Sequence, residues 1–136
     1  MERNNINRGF KKLRVWNDAI ELYLLTSDAL VNFPYEQKRT AANCIDCSQS
    51  ISRNIAEGYS RQSIKEYIRF LYYALGSSGE YHSCIISFFK ANLLTKEKFE
   101  QLDLLHYKTE NELLQLIKSL QMKIKNGTWK DSFYQE

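Results

Sequence analysis

Turn-making residues are scarce in this chain, whose 136 residues include one proline and five glycines. A many-stranded sandwich or barrel needs a turn every 8 to 12 residues or so, and the scarcity therefore favours long helices. No apolar run approaches the roughly 20 residues of a membrane span, and mean hydropathy is −0.50, which excludes a transmembrane helix and a membrane partner. The start, Met1-Glu2-Arg3-Asn4-Asn5, lacks the apolar stretch of a signal peptide. Three cysteines, an odd number, fit a reducing compartment. The expectation is a single-domain cytoplasmic protein.

What is present is charge and helical periodicity. Nineteen basic against 16 acidic residues leave a net charge of +3. All seven arginines lie within the first 69 residues, and the segment 1–14 holds Arg3, Arg8, Lys11, Lys12 and Arg14 against a single acid, Glu2. Positive charge gathered in this way attracts phosphate, although the total is mild.

Four segments carry a helical repeat of apolar residues. The first spans about 15–31, with Val15, Ala19, Leu22, Leu25 and Ala29 on one stripe. The Phe33-Pro34 junction ends it, and a second helix of about 35–57 follows with a narrow inward face of Ala41, Cys44, Ile45, Ser48, Ile51 and Ile55. Small residues allow close approach of neighbours, which places this helix near the middle of the packing. Gly58 is expected to close it as a left-handed cap. Ser63 with Glu66 forms a capping-box pattern for a third helix of about 63–91. That helix contains Gly76-Ser77-Ser78-Gly79, and two internal glycines cost about 1 kcal/mol each relative to alanine, so they imply a kink or a closely packed partner, the latter being favoured. A fourth helix of about 95–125 turns Phe99, Leu102, Leu105, Leu113, Leu116, Ile117, Leu120 and Ile124 inward and stops at Asn126-Gly127, leaving a tail, 127–136. Short connections make these four an antiparallel up-and-down four-helix bundle, all-α, preceded by a basic arm, 1–14.

The third helix is apolar around most of its circumference, through Tyr67, Phe70, Tyr72, Tyr73, Tyr81, Ile86 and Phe89 among others. One protomer of this size covers a single side, so either further subunits cover the rest, giving a homo-oligomer, or tyrosine hydroxyls reach solvent at the rim.

Chemistry is harder to find. Cys44 and Cys47 form a C-x-x-C about two turns inside a helix, away from the helix start where thiolates are activated. His82 and Cys84 point about 200° apart on a helix, so they do not complete a zinc set unless the helix breaks at Gly79. His106 falls on or beside the inward stripe of the fourth helix and reads as a packed, hydrogen-bonded histidine. No nucleophile pattern, glycine-rich phosphate loop or pair of inward carboxylates supports catalysis, and no metal or cofactor is called for. The basic residues are more informative. Arg61, Lys65 and Arg69 recur every four residues and share one ridge, with Arg53 near the end of the preceding helix. Such a ridge reads either as a phosphate-binding surface, extended by Lys11, Lys12 and Arg14, or as solvated surface paired with Glu57 and Glu66.

At 48–61 the chain reads Ser-Gln-Ser-Ile-Ser-Arg-Asn-Ile-Ala-Glu-Gly-Tyr-Ser-Arg, followed by Ser63, Glu66, Phe70-Leu71, Ala74, Gly76-Ser77 and Glu80. With Phe10, Leu13, Val15-Trp16, Ala19 and Phe33-Pro34, this resembles the 23S rRNA intervening-sequence protein family over about 10–95. The resemblance implies a bacterial cytoplasmic helical bundle assembled as a ring of five subunits, with no well-established enzymatic activity. Some relatives are encoded within insertions in large-subunit ribosomal RNA genes. A related branch accompanies the reverse transcriptases of diversity-generating retroelements, where a basic ring is thought to contact nucleic acid and the polymerase. Read physically, Asn54, Glu57, Gly58, Gly76, Ser77 and Glu80 serve fold and assembly: Glu57 accepts from Arg61 or from amides at the start of the next helix, Gly76 and Ser77 let helices approach, and Glu80 pairs with a base across an interface. Three functions remain in view. The leading one is RNA or reverse-transcriptase-like protein binding through Arg53, Arg61, Lys65, Arg69, Lys11, Lys12 and Arg14. The second is a protein-interaction scaffold using Tyr72, Tyr73, Phe133 and Tyr134, and the third, the least supported, is a small-molecule or metal site in the bundle.

Overall fold

The computed structural model describes residues 2–129. Four helices dominate: α1 (Arg14–Ala29), α2 (Lys38–Tyr59), α3 (Ile64–Lys90) and α4 (Lys96–Asn126), with short 3-10 turns at Ile6–Lys12 and Tyr35–Gln37 and no strand among the described residues. Each helix packs on its neighbour in sequence, and α4 closes the square against α1. This is the packing pattern of an up-and-down bundle, in which short connections force alternating directions.

The helix ends follow local chemistry. Ser63 Oγ accepts the Glu66 amide at 3.0 Å, and Thr95 Oγ1 accepts that of Lys98 at 3.1 Å, so each satisfies one orphan donor. The Glu66 carboxylate turns to Arg69 and leaves the capping box half made. Gly127 ends α4 at φ 65°, a left-handed conformation that glycine adopts without a Cβ penalty. Gly58 does not play that part: α2 continues through it to Tyr59, and its φ is not positive. It is a point of close approach, since a Cβ there would lie 2.9 Å from Phe70 Cβ and 3.0 Å from the Tyr67 carbonyl oxygen. Helix α3 runs unbroken through Gly76 and Gly79, and neither has any atom of the protomer within 4 Å of an added Cβ. The close helix packing expected at Gly76 is therefore absent within the protomer, whereas Ser77 does meet α2, with its Oγ 2.9 Å from Ser50 Oγ and its carbonyl 3.5 Å from Cys47 Sγ.

Buried side chains line the centre of the square: Ala19 and Leu22 from α1, Cys44, Ile51 and Ile55 from α2, Leu71, Ala74 and Ile85 from α3, Leu102 and Leu113 from α4. Thr26 and Tyr81 add a polar pair inside this core. Thr26 Oγ1 donates to the Leu22 carbonyl at 2.6 Å, and Tyr81 donates to Thr26 Oγ1 at 2.7 Å, so both buried hydroxyls are satisfied. Ile124, read as inward, is exposed, because α4 outruns the other helices near its end. On α3 the apolar surplus is only partly covered, with Tyr72 and Tyr73 about half exposed, and α4 adds an unexpected strip of Leu104, Tyr107 and Leu114.

The arm is structured. Phe10 packs edge-on against Trp16 at 5.1 Å and Tyr59 at 6.5 Å, and Tyr59 continues to Tyr67 at 5.9 Å. Four aromatic rings thus tie the segment before α1 to the α2–α3 corner.

Candidate nucleic-acid interface

The α2–α3 corner gathers the basic ridge at one end of the bundle. Arg61 follows the end of α2, and Lys65 and Arg69 occupy the first two turns of α3, all exposed because Ile64, Tyr67 and Ile68 take the inward positions. Phe70 stands between the two arginines, with the Arg61 guanidinium 4.5 Å and that of Arg69 5.9 Å from its ring centroid. Tyr73 packs edge-on against Phe70 at 5.2 Å. Cations stacked over an aromatic face hold their forks in a fixed plane while the N–H groups still point to solvent.

Each arginine also has an acidic or amide neighbour. Arg61 Nη2 lies 3.3 Å from Glu57 Oε1, Arg69 Nη2 lies 2.9 Å from Glu66 Oε2, and Arg53 Nη1 lies 3.3 Å from Asp46 Oδ1 and 2.7 Å from Gln49 Oε1. These pairs are roughly half exposed, and such surface pairs are worth at most about 1 kcal/mol. Arg53 sits about two turns back along α2. Asn54 Nδ2 donates to the Ser50 carbonyl at 2.9 Å and to its hydroxyl at 3.0 Å, while Ser77 Oγ meets Ser50 Oγ at 2.9 Å. Ser50 thereby links Asn54 on its own helix to Ser77 on α3.

Lys11, Lys12 and Arg14 share this end of the bundle, and Lys12 and Arg14 turn toward α4. Lys12 and Arg14 line an open groove of about 540 Å³ with Glu112, Gln115 and Ser119. Behind it lies a feature contrary to the expectation from sequence, a pair of inward carboxylates. Asp18 Oδ2 and Glu112 Oε1 are both buried without a hydrogen-bond donor, and Lys108 Nζ stands 3.2 Å from Asp18 Oδ2 as an unaligned ion pair. Burial and the Asp18 carboxylate push Glu112 up to about 7, against weaker opposing pulls from Lys108 and Arg14. A proton held on Glu112 lets it donate to the Asp18 carboxylate.

The thiols are apart from the histidines. Cys44 and Cys47 are buried, and Cys84 lies beside Cys44. Burial raises Cys44 far above the usual thiol range and Cys47 to about 12, with Glu80 adding to the second shift. Glu80 thus lies beside a thiol inside the protomer. Cys47 Sγ donates to the Ser77 carbonyl at 3.5 Å.

His82 turns instead toward α4, where its Nε2 lies 2.8 Å from Asp103 Oδ1. His106, one turn beyond Asp103, is 2% exposed, stacked on the His82 ring with centroids 4.6 Å apart, and its Nε2–H donates to the Ser78 carbonyl at 3.0 Å with Ser78 Oγ at 2.9 Å. Burial lowers the His106 pKa, outweighing the pull of Glu110. The Ser78–His106 pair is sealed in the core, so it lacks the substrate access that a nucleophile and base require. The grouping of His82, Asp103 and His106 was invisible in the sequence, because residues 21 to 24 positions apart meet only once α3 and α4 are set in register.

The fold and its basic corner define a small helical-bundle protein with an arginine-rich, aromatic-backed end. The chain belongs to the 23S rRNA-intervening sequence protein family, whose sequence profile matches residues 11–122. A crystal structure at 1.70 Å of a protein of unknown function from the S23 ribosomal protein family of Bacteroides thetaiotaomicron is similar, with 24% identity and a TM-score of 0.69 over 76% of this chain and 95% of that one. That likeness concerns the fold. No curated protein matches the chain. No described helix is long and apolar enough to cross a membrane.

Proposed function

We propose that this protein is a non-catalytic, cytoplasmic RNA-binding bundle working as a homo-oligomeric ring, with the five subunits that the family resemblance implies. The observation that carries the reading is the Arg61–Phe70–Arg69 stack with Lys65 exposed in the first turn of α3, at one end of the bundle beside the Lys11, Lys12 and Arg14 arm. Weak surface pairs with Glu57 and Glu66 yield readily to phosphate, which accepts two parallel hydrogen bonds from a guanidinium. Tyr73, half exposed beside Phe70, adds a face on which an unpaired base can stack. Exposed Tyr72, Tyr73, Leu104 and Tyr107 support burial against further copies, which would bring several basic corners into one surface.

Fluorescence anisotropy with a structured RNA hairpin at several salt concentrations tests this. Binding should weaken steeply with salt, and the variant combining Arg61→Ala, Lys65→Ala and Arg69→Ala should flatten the log–log slope by about 2 to 3, near 0.9 for each phosphate no longer neutralised. Absence of binding at low salt, or a slope unchanged in the triple variant, refutes it. The alternative, a scaffold that docks a protein on Tyr72 and Tyr73, predicts salt-tolerant association. Phe133 and Tyr134 of that alternative lie outside the described residues.

A further inference from the structure

We infer that His82, Asp103 and His106 form a binding site for one divalent transition-metal ion of the zinc type, at the α3–α4 seam and independent of the basic corner. One nitrogen from each histidine and one Asp103 oxygen lie within 4.8 Å of one another. Two imidazoles and one carboxylate are the donor set of open zinc sites, in which water or an exogenous ligand takes the fourth position. Asp103 and His106 are three residues apart on one helix, so both project from the same face, and His82 reaches across from the facing helix. Carboxylate and histidine in an i, i+3 pair is a recurrent way for helix bundles to hold metals.

The surroundings meet the other requirements of such a site. His106 is fixed from behind, because its Nε2–H is committed to the Ser78 backbone carbonyl at 3.0 Å, leaving Nδ1 with the lone pair a metal needs. Tyr81 also stacks on that ring at 5.7 Å, so the imidazole is held by packing as well as by its hydrogen bond. His82 and Asp103 are 39% and 37% exposed and form an entry path from solvent. Ligand atoms around a tetrahedral ion at bond lengths near 2.1 Å lie about 3.4 Å apart. The group therefore contracts by at most about 1.4 Å at its widest, while the His82–Asp103 pair opens from 2.8 Å. The motion falls on His82, whose ring leaves its near-parallel stack on His106, now tilted by 16°, to bring a lone pair to the ion. The buried ligand stays in place and the half-exposed ones close on it.

Chelator-treated full-length protein, titrated with Zn²⁺ by calorimetry and with Co²⁺ by visible absorption, tests the assignment. The expected result is one ion per chain, with a Co²⁺ d–d spectrum of nitrogen–oxygen coordination and no thiolate charge-transfer band. His82→Ala and Asp103→Ala, both at half-exposed positions and checked for native helicity, should each weaken binding by more than about 100-fold, beyond the 10- to 100-fold typical of supporting residues. A variant with Cys44→Ala, Cys47→Ser and Cys84→Ser should bind as the parent does. No binding by the parent protein, full affinity in the His82 or Asp103 variant, or loss of binding in the cysteine variant overturns the proposal.

Discussion

The three glycines of α2 and α3 make opposed predictions from one physical comparison. At Gly58 an alanine methyl would sit 2.9 Å from Phe70 Cβ and 3.0 Å from the Tyr67 carbonyl oxygen, and neither atom moves unless α3 itself shifts away from α2. Overpacking of this kind costs about 1 to 3 kcal/mol, whereas the better helix propensity of alanine returns about 1 kcal/mol. The net is a loss between about 0 and 2 kcal/mol for Gly58→Ala, toward the upper end because a Cβ and a carbonyl oxygen give way only if the helix moves. At Gly76 and Gly79 no atom of the protomer lies within 4 Å of an added methyl, so propensity acts alone and each alanine should gain about 1 kcal/mol. Urea unfolding followed by circular dichroism, over a wide range of protein concentrations, measures all three. A Gly58→Ala protein at least as stable as the parent would refute the close-approach argument. Gly76→Ala tests assembly as well. Stabilisation at low concentration that turns into destabilisation at high concentration would place another subunit against that face. Destabilisation at every concentration would contradict the open space around this glycine in the protomer.

Two further perturbations probe the interior. Glu112 has its pKa raised from 4.5 to about 7, so its contribution to stability is complete below pH 4.5 and is lost as pH climbs through 7. Glu112→Gln should accordingly match the parent near pH 4.5 and exceed it in thermal stability at about pH 8, above the raised value, and a difference that grows toward acid would reverse the sign and sink the account of a protonated Glu112. Tyr81→Phe removes the donor to Thr26 Oγ1 inside the core but leaves Thr26 bonded to Leu22, so unfolding stability should fall by about 1 kcal/mol, with a loss above about 3 kcal/mol arguing against this satisfied network.

Periodicity made the bundle readable, since apolar stripes such as Ala41, Cys44, Ser48, Ile51 and Ile55 are a direct consequence of about 3.6 residues per turn. The caps at Ser63, Thr95 and Gly127 were readable too, because a hydroxyl or a missing Cβ acts within one turn of its own position. Gly58 misled for an instructive reason: glycine serves both left-handed turns and close approaches, and only the position of Phe70 on another helix decides between them. The same limit hid the Asp18–Glu112 pair and the His82–Asp103–His106 group, whose members are distant in sequence and meet through the relative rotation of two helices. Ion pairing of Arg61 with Glu57 and of Arg69 with Glu66 was legible from i, i+4 and i, i+3 spacing. The stack on Phe70 was not, because it depends on side-chain rotamers at a corner.

Clipping of Phe10 between Trp16 and Tyr59 has a mechanical outcome. The leading lysines are moored to the far end of a different helix, so they move as a unit with that corner and cannot sweep freely through solvent. Charges moored in this way surrender little entropy when an anion arrives, and a substitution at Phe10 would be felt as slacker geometry at both clusters at once.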